Sequence, residues 1–360
     1  MKILVLPGDG IGPEITDSTM AVMRTVDTIY GLGMDFEFDD VGFSSLKKYG
    51  TTLRDETLEK GRRADGIILG PQSHLDYPPR DQGGVNVSAG FRVKLDLYAN
   101  VRPARTRPGL ARTDKHMDLV IMREATEGFY PDRNMFAGCG EFMPTEDICL
   151  SVRKITAHAS NRIARRAFEL AQTRRKKVAA IHKANNFILS DGLFLREVRK
   201  VAAEFPEVEV EEIIVDAMAA YLIRDPSRFD VIVATNFHAD ILSDLASELS
   251  GSLGLAGSIN AGDNLAAAQA QHGSAPDIEG QNKANPISLI LSASMLLKWL
   301  GDRHKRQNYR DASACIDKAI DAVIMNPAKR TPDLGGPLGT DAFTRCVVDE
   351  IKRVNVATAR

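Results

Sequence analysis

The sequence contains few cysteines and no pair of them in a metal-binding or redox spacing. The four cysteines, Cys139, Cys149, Cys315 and Cys346, form no Cys-x-x-Cys motif among the 360 residues. A zinc site or a redox-active dithiol is therefore disfavoured. The pattern is typical of reduced, structural thiols in a cytoplasmic protein.

Long apolar runs and an excess of charge of one sign are also missing. No run approaches the roughly 20 apolar residues of a membrane span, and Met1-Lys2 leads directly into a strand instead of a signal peptide. The net charge of -2 argues against nucleic acid or an anionic membrane as the main partner. With 44% apolar and 26% charged residues the composition is that of a globular protein, long enough for about two domains.

The glycine-rich turn near the N-terminus lacks the spacing of a dinucleotide fingerprint. A strand at residues 2–6 is followed by PGDGIGPE at 7–14, which reads GxGxG where the fingerprint reads GxGxxG. No acid lies at a clear strand end about 20 residues later, as that fingerprint would need. Tight-turn glycines explain the motif, and Pro13 suits the first turn of a helix that reaches about Tyr30.

What the chain does contain is an alternation of strand and helix patterns, which predicts an α/β fold. Within it, the strand-like run 230–234 leads into a helical pattern at 236–244. Asp240 and Asp244 are four residues apart, so on a helix their carboxylates share one face and repel each other unless a cation lies between them. A hard divalent ion such as Mg2+ or Mn2+ takes such oxygen ligands. An acid-rich first turn that complements the helix dipole is the alternative.

Three arginines lie near the ends of predicted elements. Arg92 and Arg102 are separated by a segment of mostly helical pattern, and Arg123 follows a strand at 117–122. Arginine binds carboxylates bidentately, so together the three could clamp an acidic substrate. Taken singly, each is typical of a solvated surface group.

Two further side chains follow predicted strands directly. Lys183 comes just after the strand 178–181, and Asp216 ends the strand 208–215. The carboxyl ends of strands are where open α/β sheets place their chemistry. Asp216 would supply the third carboxylate that a hard-metal site needs. Asp191, within Ser190-Asp191-Gly192, is expected in the capped start of the next helix.

After Gly251 the composition turns to small residues, and HGSAPDI follows at 272–278. Asn285-Pro286 then precedes an apolar helix that reaches about Leu300, and the loop at 331–336 precedes a last helix, which is expected to be short. A loop of this kind can bring backbone N–H groups to a phosphate or an adenosine. It could equally be a long connection, and composition alone does not decide.

Taken together, these segments resemble the β-decarboxylating dehydrogenases, the family of the isopropylmalate, isocitrate, homoisocitrate and tartrate/D-malate dehydrogenases. The similarity extends from the turn at 6–14 to DLGG at 333–336, nearly the whole chain. The motif DILSD at 240–244 followed by HGSAPD at 272–277 is highly specific in this order. The resemblance implies the family's own α/β fold, with two domains and a large mixed sheet, and distinct from the Rossmann fold.

The resemblance also implies how the chain is divided and what it does. Residues 1–98 and 252–360 would form a cofactor-side domain containing both termini, and residues 99–251 a central domain with the metal ligands and a dimer interface. The implied assembly is a homodimer with shared active sites. The implied reaction is oxidative decarboxylation of a 3-substituted (2R)-malate to a 2-oxo acid and CO2, with NAD and Mg2+ or Mn2+.

Position by position, the resemblance implies roles for the candidate residues. Those that look like substrate-binding residues are Arg92, Arg102, Arg123, Ser88 and Asn86. The implied proton-transfer pair is Tyr130 and Lys183, and the implied metal ligands are Asp216, Asp240 and Asp244. In the family, the equivalents of Lys183 and Asp216 come from the other subunit. The implied cofactor loop contains His272, Gly273, Ser274, Ala275, Asp277, Ile278 and Asn285.

Within that loop, two residues carry the expectation of NAD. Asp277 would repel the 2'-phosphate of NADP and accept hydrogen bonds from ribose hydroxyls. Asn285 looks like an adenine contact. The chain departs from the family just before the loop, where an acid-Pro-x-His pattern is usual and this sequence reads QAQH at 269–272.

The substituent of the malate is less clearly indicated. The selecting stretch VNVSAGF at 85–91 lacks both the Ser-x-Asn pattern of isocitrate enzymes and the paired leucines of isopropylmalate enzymes. Isopropylmalate is favoured because Val85, Ala89 and Phe91 could form an apolar wall, and no basic residue precedes Arg92 to hold a third carboxylate. Isocitrate, homoisocitrate and tartrate/D-malate are open alternatives. A silent regulatory subunit is a different class of function, but such subunits tend to lose a lysine, tyrosine or arginine that is retained here.

Overall fold

The computed structural model describes residues 1–107 and 109–358, with side chains up to residue 354. It is a mixed α/β structure in two compact units. Unit 1 comprises Met1–Leu95, Arg107–Leu110 and Ser252–Arg360, and unit 2 comprises Asp96–Thr106 and Ala111–Gly251. No helix among the described residues is long and apolar enough to cross a membrane.

Strands and helices are numbered along the chain. The strands are β1 (Lys2–Leu6), β2 (Asp35–Phe38), β3 (Gly66–Leu69), β4 (Ala99–Arg105), β5 (Asp118–Glu124), β6 (Glu141–Thr145), β7 (Ile148–Ser151), β8 (Lys177–His182), β9 (Glu209–Ile214), β10 (Val231–Ala234), β11 (Ile259–Ala261) and β12 (Ala266–Gln269). The helices are α1 (Gly12–Tyr30), α2 (Gly42–Tyr49), α3 (Asp55–Arg63), α4 (Val87–Lys94), α5 (Ala157–Gln172), α6 (Ser190–Ala202), α7 (Val215–Arg224), α8 (Asn236–Ser250), α9 (Ile287–Arg303), α10 (Gln307–Met325) and α11 (Thr340–Thr358).

Unit 1 is built on five strands in the order β2-β1-β3-β12-β11. The pairs of β1 with β2, β1 with β3 and β3 with β12 are parallel, and β11 and β12 are antiparallel. All four residues of β3 are buried, which agrees with the continuous apolar pattern of a strand covered on both faces. The predicted first strand and helix are confirmed, with proline in the first turn of α1 and Gly31 in the left-handed conformation that ends it.

Unit 2 contains five strands in the order β4-β5-β10-β8-β9, in which only β4 is antiparallel to its neighbour. Alternate residues of β10 point to opposite faces, as the twofold repeat of a strand requires. Val231 and Val233 join one buried cluster with α5 and α6, and Ile232 and Ala234 join another with α7 and α8. The sheet is therefore covered by helices on both faces, which holds the carboxyl ends of its strands rigidly.

The antiparallel pair β6 and β7 forms a separate hairpin in unit 2, which the sequence patterns did not indicate. Every residue of both strands is exposed. Phe142, Met143, Ile148 and Leu150 are about half exposed, so the hairpin presents apolar side chains that nothing in the described chain covers. An apolar surface of this kind is typical of a contact with a partner.

Two expectations about secondary structure are wrong. The segment between Arg92 and Arg102 is not mostly helical, because α4 ends at Lys94 and β4 begins at Ala99, which places Arg102 inside a strand. The last helix, expected to be short, is the 19-residue α11. It packs against α1 and α10, so tertiary contacts extend it further than its local pattern indicated.

Candidate active site

The strand-to-helix connection after β10 places two carboxylates on one face of α8. Asp240 and Asp244 each have an oxygen 3.2 Å from Nη1 of Arg102. Both carboxylates therefore point to the same place, and both are partly exposed. This set of oxygen donors fits a hard divalent cation, which prefers carboxylate ligands.

Two arginines converge on these carboxylates from neighbouring strands. In the antiparallel pair β4 and β5, Arg123 lies opposite Asn100, two residues before Arg102. Nε of Arg102 donates to the Asn100 side chain at 2.6 Å, and Nε of Arg123 donates to Asn236 at 2.8 Å. Nη1 of Arg123 contacts Asp240 directly. The guanidinium planes are thus fixed by amides, which leaves their outer nitrogens directed at carboxylates.

The two arginines of this cluster are buried and charged. Arg102 and Arg123 are both buried, with 7% and 3% of their surface exposed. Burial, followed by the charge of Arg123, lowers the pKa of Arg102 to about 10. Arg102 still carries its charge at neutral pH, so two desolvated cations lie close together, and the two carboxylates of α8 compensate their charge.

Tyr130 belongs to the same cluster. Its hydroxyl donates to Oδ2 of Asp240 at 2.7 Å and accepts from Nη2 of Arg123 at 3.1 Å. The Arg133 guanidinium lies 5.0 Å from the centre of its ring. The phenol is therefore held with its oxygen among charged groups, which is a suitable position for a proton donor.

Lys183 and Asp216 are brought together by adjacent parallel strands. The register pairs His182 of β8 with Ile214 of β9, so the residues that follow each strand emerge at one edge. Nζ of Lys183 lies 2.5 Å from Oδ1 of Asp216, and this hydrogen bond lowers the pKa of the carboxyl group. Over the described part of the chain, no three or more His, Cys, Asp or Glu side chains form a cluster suited to a metal. One chain therefore does not gather Asp216 with both acids of α8.

The expectation that Asp191 lies in a side-chain-capped helix start is wrong. The residue at the N-cap of α6 is Leu189, without a side-chain capping bond. Asp191 is fully buried, and its Oδ2 accepts from the backbone N–H of Lys183 at 2.5 Å. Its Oδ1 forms an ion pair of 2.6 Å with Arg153.

Arg153 is held in turn by aromatic rings. Its guanidinium lies 5.4 Å from the ring centre of Phe129 and 5.1 Å from that of Phe187, within the range of cation–π contacts. Nη2 also donates to Thr235 at 2.9 Å. Asp191 and Arg153 thus fix the segment that carries Lys183. Sequence reasoning missed this pair because a contact between residues 38 positions apart leaves no local signature.

In unit 1, α4 separates polar and apolar residues of the selecting stretch. Asn86 caps the helix by accepting from the Ala89 N–H at 3.0 Å. Ser88 and Arg92, four residues apart, share one face. Phe91 is buried on another, where its ring packs so closely against Gly61 that a Cβ there would approach within 3.0 Å.

This arrangement corrects the expectation of an apolar wall. Phe91 and Ala89 are 1% and 7% exposed and belong to the core of unit 1. Of the three proposed wall residues, only Val85 is partly exposed. The helix face that carries Arg92 is polar.

The predicted cofactor loop is tied to the N-terminal turn. The Ile11 N–H donates to the Ser274 carbonyl at 2.8 Å, and the Ser274 and Ser73 hydroxyls lie 2.7 Å apart. A Cβ at Gly10 would fall 2.1 Å from that carbonyl, so glycine is required there. Ala275 adopts a left-handed conformation with φ of 39°, the kind of backbone strain that clusters at ligand sites.

Two carboxylates, Asp9 and Glu14, hold the loops around the predicted cofactor site. The buried carboxylate of Asp9 accepts from the N–H groups of Phe43 and Ser73 at 2.8 and 3.1 Å. The carboxylate of Glu14 accepts from the N–H groups of Asn282 and Ala284 at 3.3 and 3.1 Å. The N-terminal motif therefore anchors the loops around the predicted cofactor site, a role that its glycine spacing did not indicate.

Three residues of the loop show how it would meet a nucleotide. Nδ1 of His272 faces the Gly273 carbonyl at 2.9 Å, so Nδ1 carries the proton, and burial lowers the pKa of the ring. Its Nε2 is then a buried acceptor without a donor in the described residues, which fits a ribose hydroxyl or an adenine amino group. Asp277 is exposed. Asn285 accepts from Ile287 and donates to Asp333 at 3.0 and 2.9 Å, so it also supports the start of α9.

Comparison with known proteins identifies the family. The model of the family described as isocitrate/isopropylmalate dehydrogenase matches residues 2–351. The chain belongs to this family. Its fold is likewise that of a solved isocitrate dehydrogenase from Methylococcus capsulatus, which is 36% identical, with a TM-score of 0.87 over 98% of this chain and 99% of that one. The predicted resemblance and fold class are confirmed.

The relatives of this chain carry more than one name. The chain is 40% identical to a 3-isopropylmalate dehydrogenase of Archaeoglobus fulgidus, over 95% of this chain and 97% of the relative. It is 40% identical to an isocitrate/homoisocitrate dehydrogenase of Thermus thermophilus, over 98% of both. It is 38% identical to a mitochondrial catalytic subunit of NAD isocitrate dehydrogenase of Arabidopsis thaliana, over 96% of this chain and 87% of the relative. The family is one of dehydrogenases, and the names of these relatives do not agree on a substrate.

Proposed function

We propose that this protein is an NAD- and divalent-metal-dependent dehydrogenase. It oxidatively decarboxylates a 3-substituted (2R)-malate to a 2-oxo acid and CO2. The observation that carries the proposal is the convergence of Arg102, Arg123, Tyr130 and Asp240 on one point of unit 2. Buried arginines, a phenol and a carboxylate in mutual contact suit an acidic substrate that must exchange protons.

The arginines bind and orient the substrate. Arg102 and Arg123 offer outer nitrogens to carboxylates while amides fix their planes, and the resemblance to the family supports Arg92 as a third substrate-binding residue. Because Arg102 and Arg123 are buried, they hold the carboxylates in a water-poor setting, where charge pairing is stronger than in water. Orientation of this kind supplies a large part of the barrier reduction in many enzymes.

Lys183 and Tyr130 transfer the protons. Nζ of the partner subunit's Lys183 accepts the proton of the C2 hydroxyl as the C2 hydride is lost, and the Tyr130 hydroxyl gives a proton to C3 after CO2 has left. Asp191 holds the backbone of Lys183, which limits the positions that its amine can reach.

The implied metal and cofactor have residues that fit them. Asp240 and Asp244, with the partner subunit's Asp216, would hold Mg2+ or Mn2+, which supplies Lewis-acid stabilisation of the negative charge that develops as CO2 leaves. The loop from His272 to Asn285 would bind NAD, which supplies the hydride acceptor. The exposed carboxylate of Asp277 disfavours a 2'-phosphate.

We also propose a cytoplasmic homodimer with shared active sites, in which the domain of residues 99–251 forms the interface and that of residues 1–98 and 252–360 binds the cofactor. The exposed apolar residues of the β6–β7 hairpin support this, as do Phe237 and Ile241 of α8, which are 43% and 54% exposed. Analytical ultracentrifugation should give twice the chain mass. Replacing Phe142 and Leu150 by serine should shift the mass toward one chain; a wild-type monomer with full activity would contradict the shared site.

The test of the reaction is NADH formation with Mn2+ over isopropylmalate, isocitrate, homoisocitrate, tartrate and D-malate, with CO2 release measured in parallel. We expect one NADH per CO2 for at least one substrate. Lys183→Met and Tyr130→Phe should each lower kcat by about 10^2- to 10^4-fold while NAD binding, followed by calorimetry, is kept. NADH without CO2 would indicate simple dehydrogenation, and near-normal turnover of both variants would refute their roles.

A further inference from the structure

Gln269 occupies the carboxyl end of β12 in a rigid setting. Its backbone N–H donates to the Ser258 carbonyl at 3.1 Å, and its carbonyl accepts from the hydroxyls of Ser258 and Ser292 at 2.7 and 3.0 Å. Only 8% of the residue is exposed. The side chain therefore has little freedom, and its hydrogen bonds are set by the groups around it.

Those groups fix which way the amide faces. Its Oε1 lies 3.1 Å from Nδ2 of Asn260 and 3.4 Å from Nη2 of Arg92. Arginine has only donors, so the oxygen of Gln269 must face it. Nε2 then points the other way and donates to Oγ of Ser88 at 2.7 Å. Gln269 thus connects the two polar residues on one face of α4.

This geometry determines the direction of the Ser88 hydroxyl. Since the oxygen of Ser88 accepts from Gln269, its proton must be donated elsewhere, and none of the described residues accepts it. A carboxylate at position 269 would reverse the bond, because a carboxylate only accepts. It would also add a negative charge beside Arg92. The acid usual in sequences resembling this one, at the position where this chain has glutamine, would therefore give the opposite polarity.

We propose that Gln269 is a specificity-determining residue that acts through Ser88. It turns the Ser88 hydroxyl into a donor toward the 3-substituent of the substrate, and it keeps the surroundings of Arg92 free of an added anion from position 269. The subsite then takes a substituent with an oxygen acceptor, a carboxylate or a hydroxyl, in preference to an alkyl group. This inference rests on the proposed reaction and deepens it.

The test compares substrates that differ only at C3: D-malate, isopropylmalate, isocitrate and tartrate. In the wild type, kcat/KM should be higher for isocitrate or tartrate than for isopropylmalate. A preference for isocitrate would show that the acceptor is a carboxylate, and a preference for tartrate that it is a hydroxyl. Gln269→Glu should lower kcat/KM for that substrate by about 10- to 100-fold, as expected for a lost bond to a charged group. The loss should be mainly in KM. It should be smaller for D-malate, which has no substituent and is affected only by the added charge beside Arg92.

Two variants separate this role from a structural one. Gln82→Glu makes the same chemical change at an exposed position before α4 and should leave the substrate ratios unchanged. Ser88→Ala should cause a loss similar to that of Gln269→Glu, and the double variant should lose little more, because both remove the same bond. Equal losses for all four substrates, or a wild type that prefers isopropylmalate, would overturn the inference.

Failure of the proposed reaction can be recognised separately. If no substrate yields NADH with the wild type, the reaction is refuted. The subsite is then tested by isothermal calorimetry with isocitrate and with tartrate. Weaker binding to Gln269→Glu and to Ser88→Ala than to the wild type and Gln82→Glu supports the inference, and equal affinity or no measurable binding in all four proteins refutes it.

Discussion

Replacing Asp191 by asparagine tests how the segment with Lys183 is held. Asp191 is fully buried, its partner Arg153 has a side chain only 6% exposed, and the two atoms are 2.6 Å apart. Asparagine has nearly the same shape and keeps an acceptor for the Lys183 N–H, but it leaves the Arg153 charge uncompensated. Breaking a buried pair from one side costs about 3–5 kcal/mol. We take the lower end, about 3 kcal/mol, because one hydrogen bond survives.

The assay is thermal unfolding at neutral pH. A loss of about 3 kcal/mol should lower Tm by roughly 6–12 °C for a domain of this size. Asp302→Asn is the matched control, because it removes an exposed ion pair of 2.5 Å with Lys298, and exposed pairs contribute less than about 1 kcal/mol. Asp191→Asn should also lower kcat while NAD affinity is kept. Equal shifts of Tm for the two variants, or an unchanged kcat, would refute the argument.

The remaining predictions concern three other charged groups. Burial raises the pKa of Glu127 to about 7, so the folded protein keeps a proton that the unfolded chain releases. Stability should therefore fall as pH rises from about 4.5 to 7. Glu127→Gln should flatten this part of a profile of Tm against pH, and an unchanged profile would contradict the prediction. Glu14→Gln should raise KM for NAD by about 10-fold, because one amide oxygen cannot replace a carboxylate that accepts from two loop N–H groups. Titration with NAD measures this change, and an unchanged affinity would refute the anchoring role of Glu14. Arg102→Lys should raise KM for the substrate more than 10-fold in steady-state assays, since lysine cannot contact Asn100 and Asp240 at the same time. A normal KM would exclude a role of Arg102 in binding the substrate carboxylates.

Much of the site scaffold follows from local pattern. The run 230–234 and the residues after it have the periods of a strand and a helix, so the common face of Asp240 and Asp244 was predictable. The positions of Lys183 and Asp216 after strands were predictable for the same reason. Their contact depends on β8 and β9 being neighbours, which local pattern alone does not specify.

The errors arise where tertiary packing decides. Phe91 looked available for a substrate because the sequence cannot show which face of α4 meets Gly61. Asp191 lies at a helix start, where acids usually act as caps, but here it forms a buried ion pair with Arg153. Gln269 appeared only as a departure from a family pattern. The role of Gln269 depends on which groups around its amide donate and which accept hydrogen bonds, and this can be assigned only from atomic positions.

The discontinuity of unit 1 has a consequence for how the chain folds during synthesis. Unit 2 is almost continuous between positions 96 and 251, so its sheet can form once the ribosome has passed that point. Unit 1 needs both ends: α1 packs on α11, and the Thr344 hydroxyl donates to Ser18 at 2.9 Å across 326 positions. Its first 95 residues must wait for strand β12 and the C-terminal helices, exposing apolar strands β1 and β3 meanwhile. Once those residues have been made, a folded unit 2 lowers the entropic cost of bringing the two parts of unit 1 together, because the residues between them no longer form a long flexible loop.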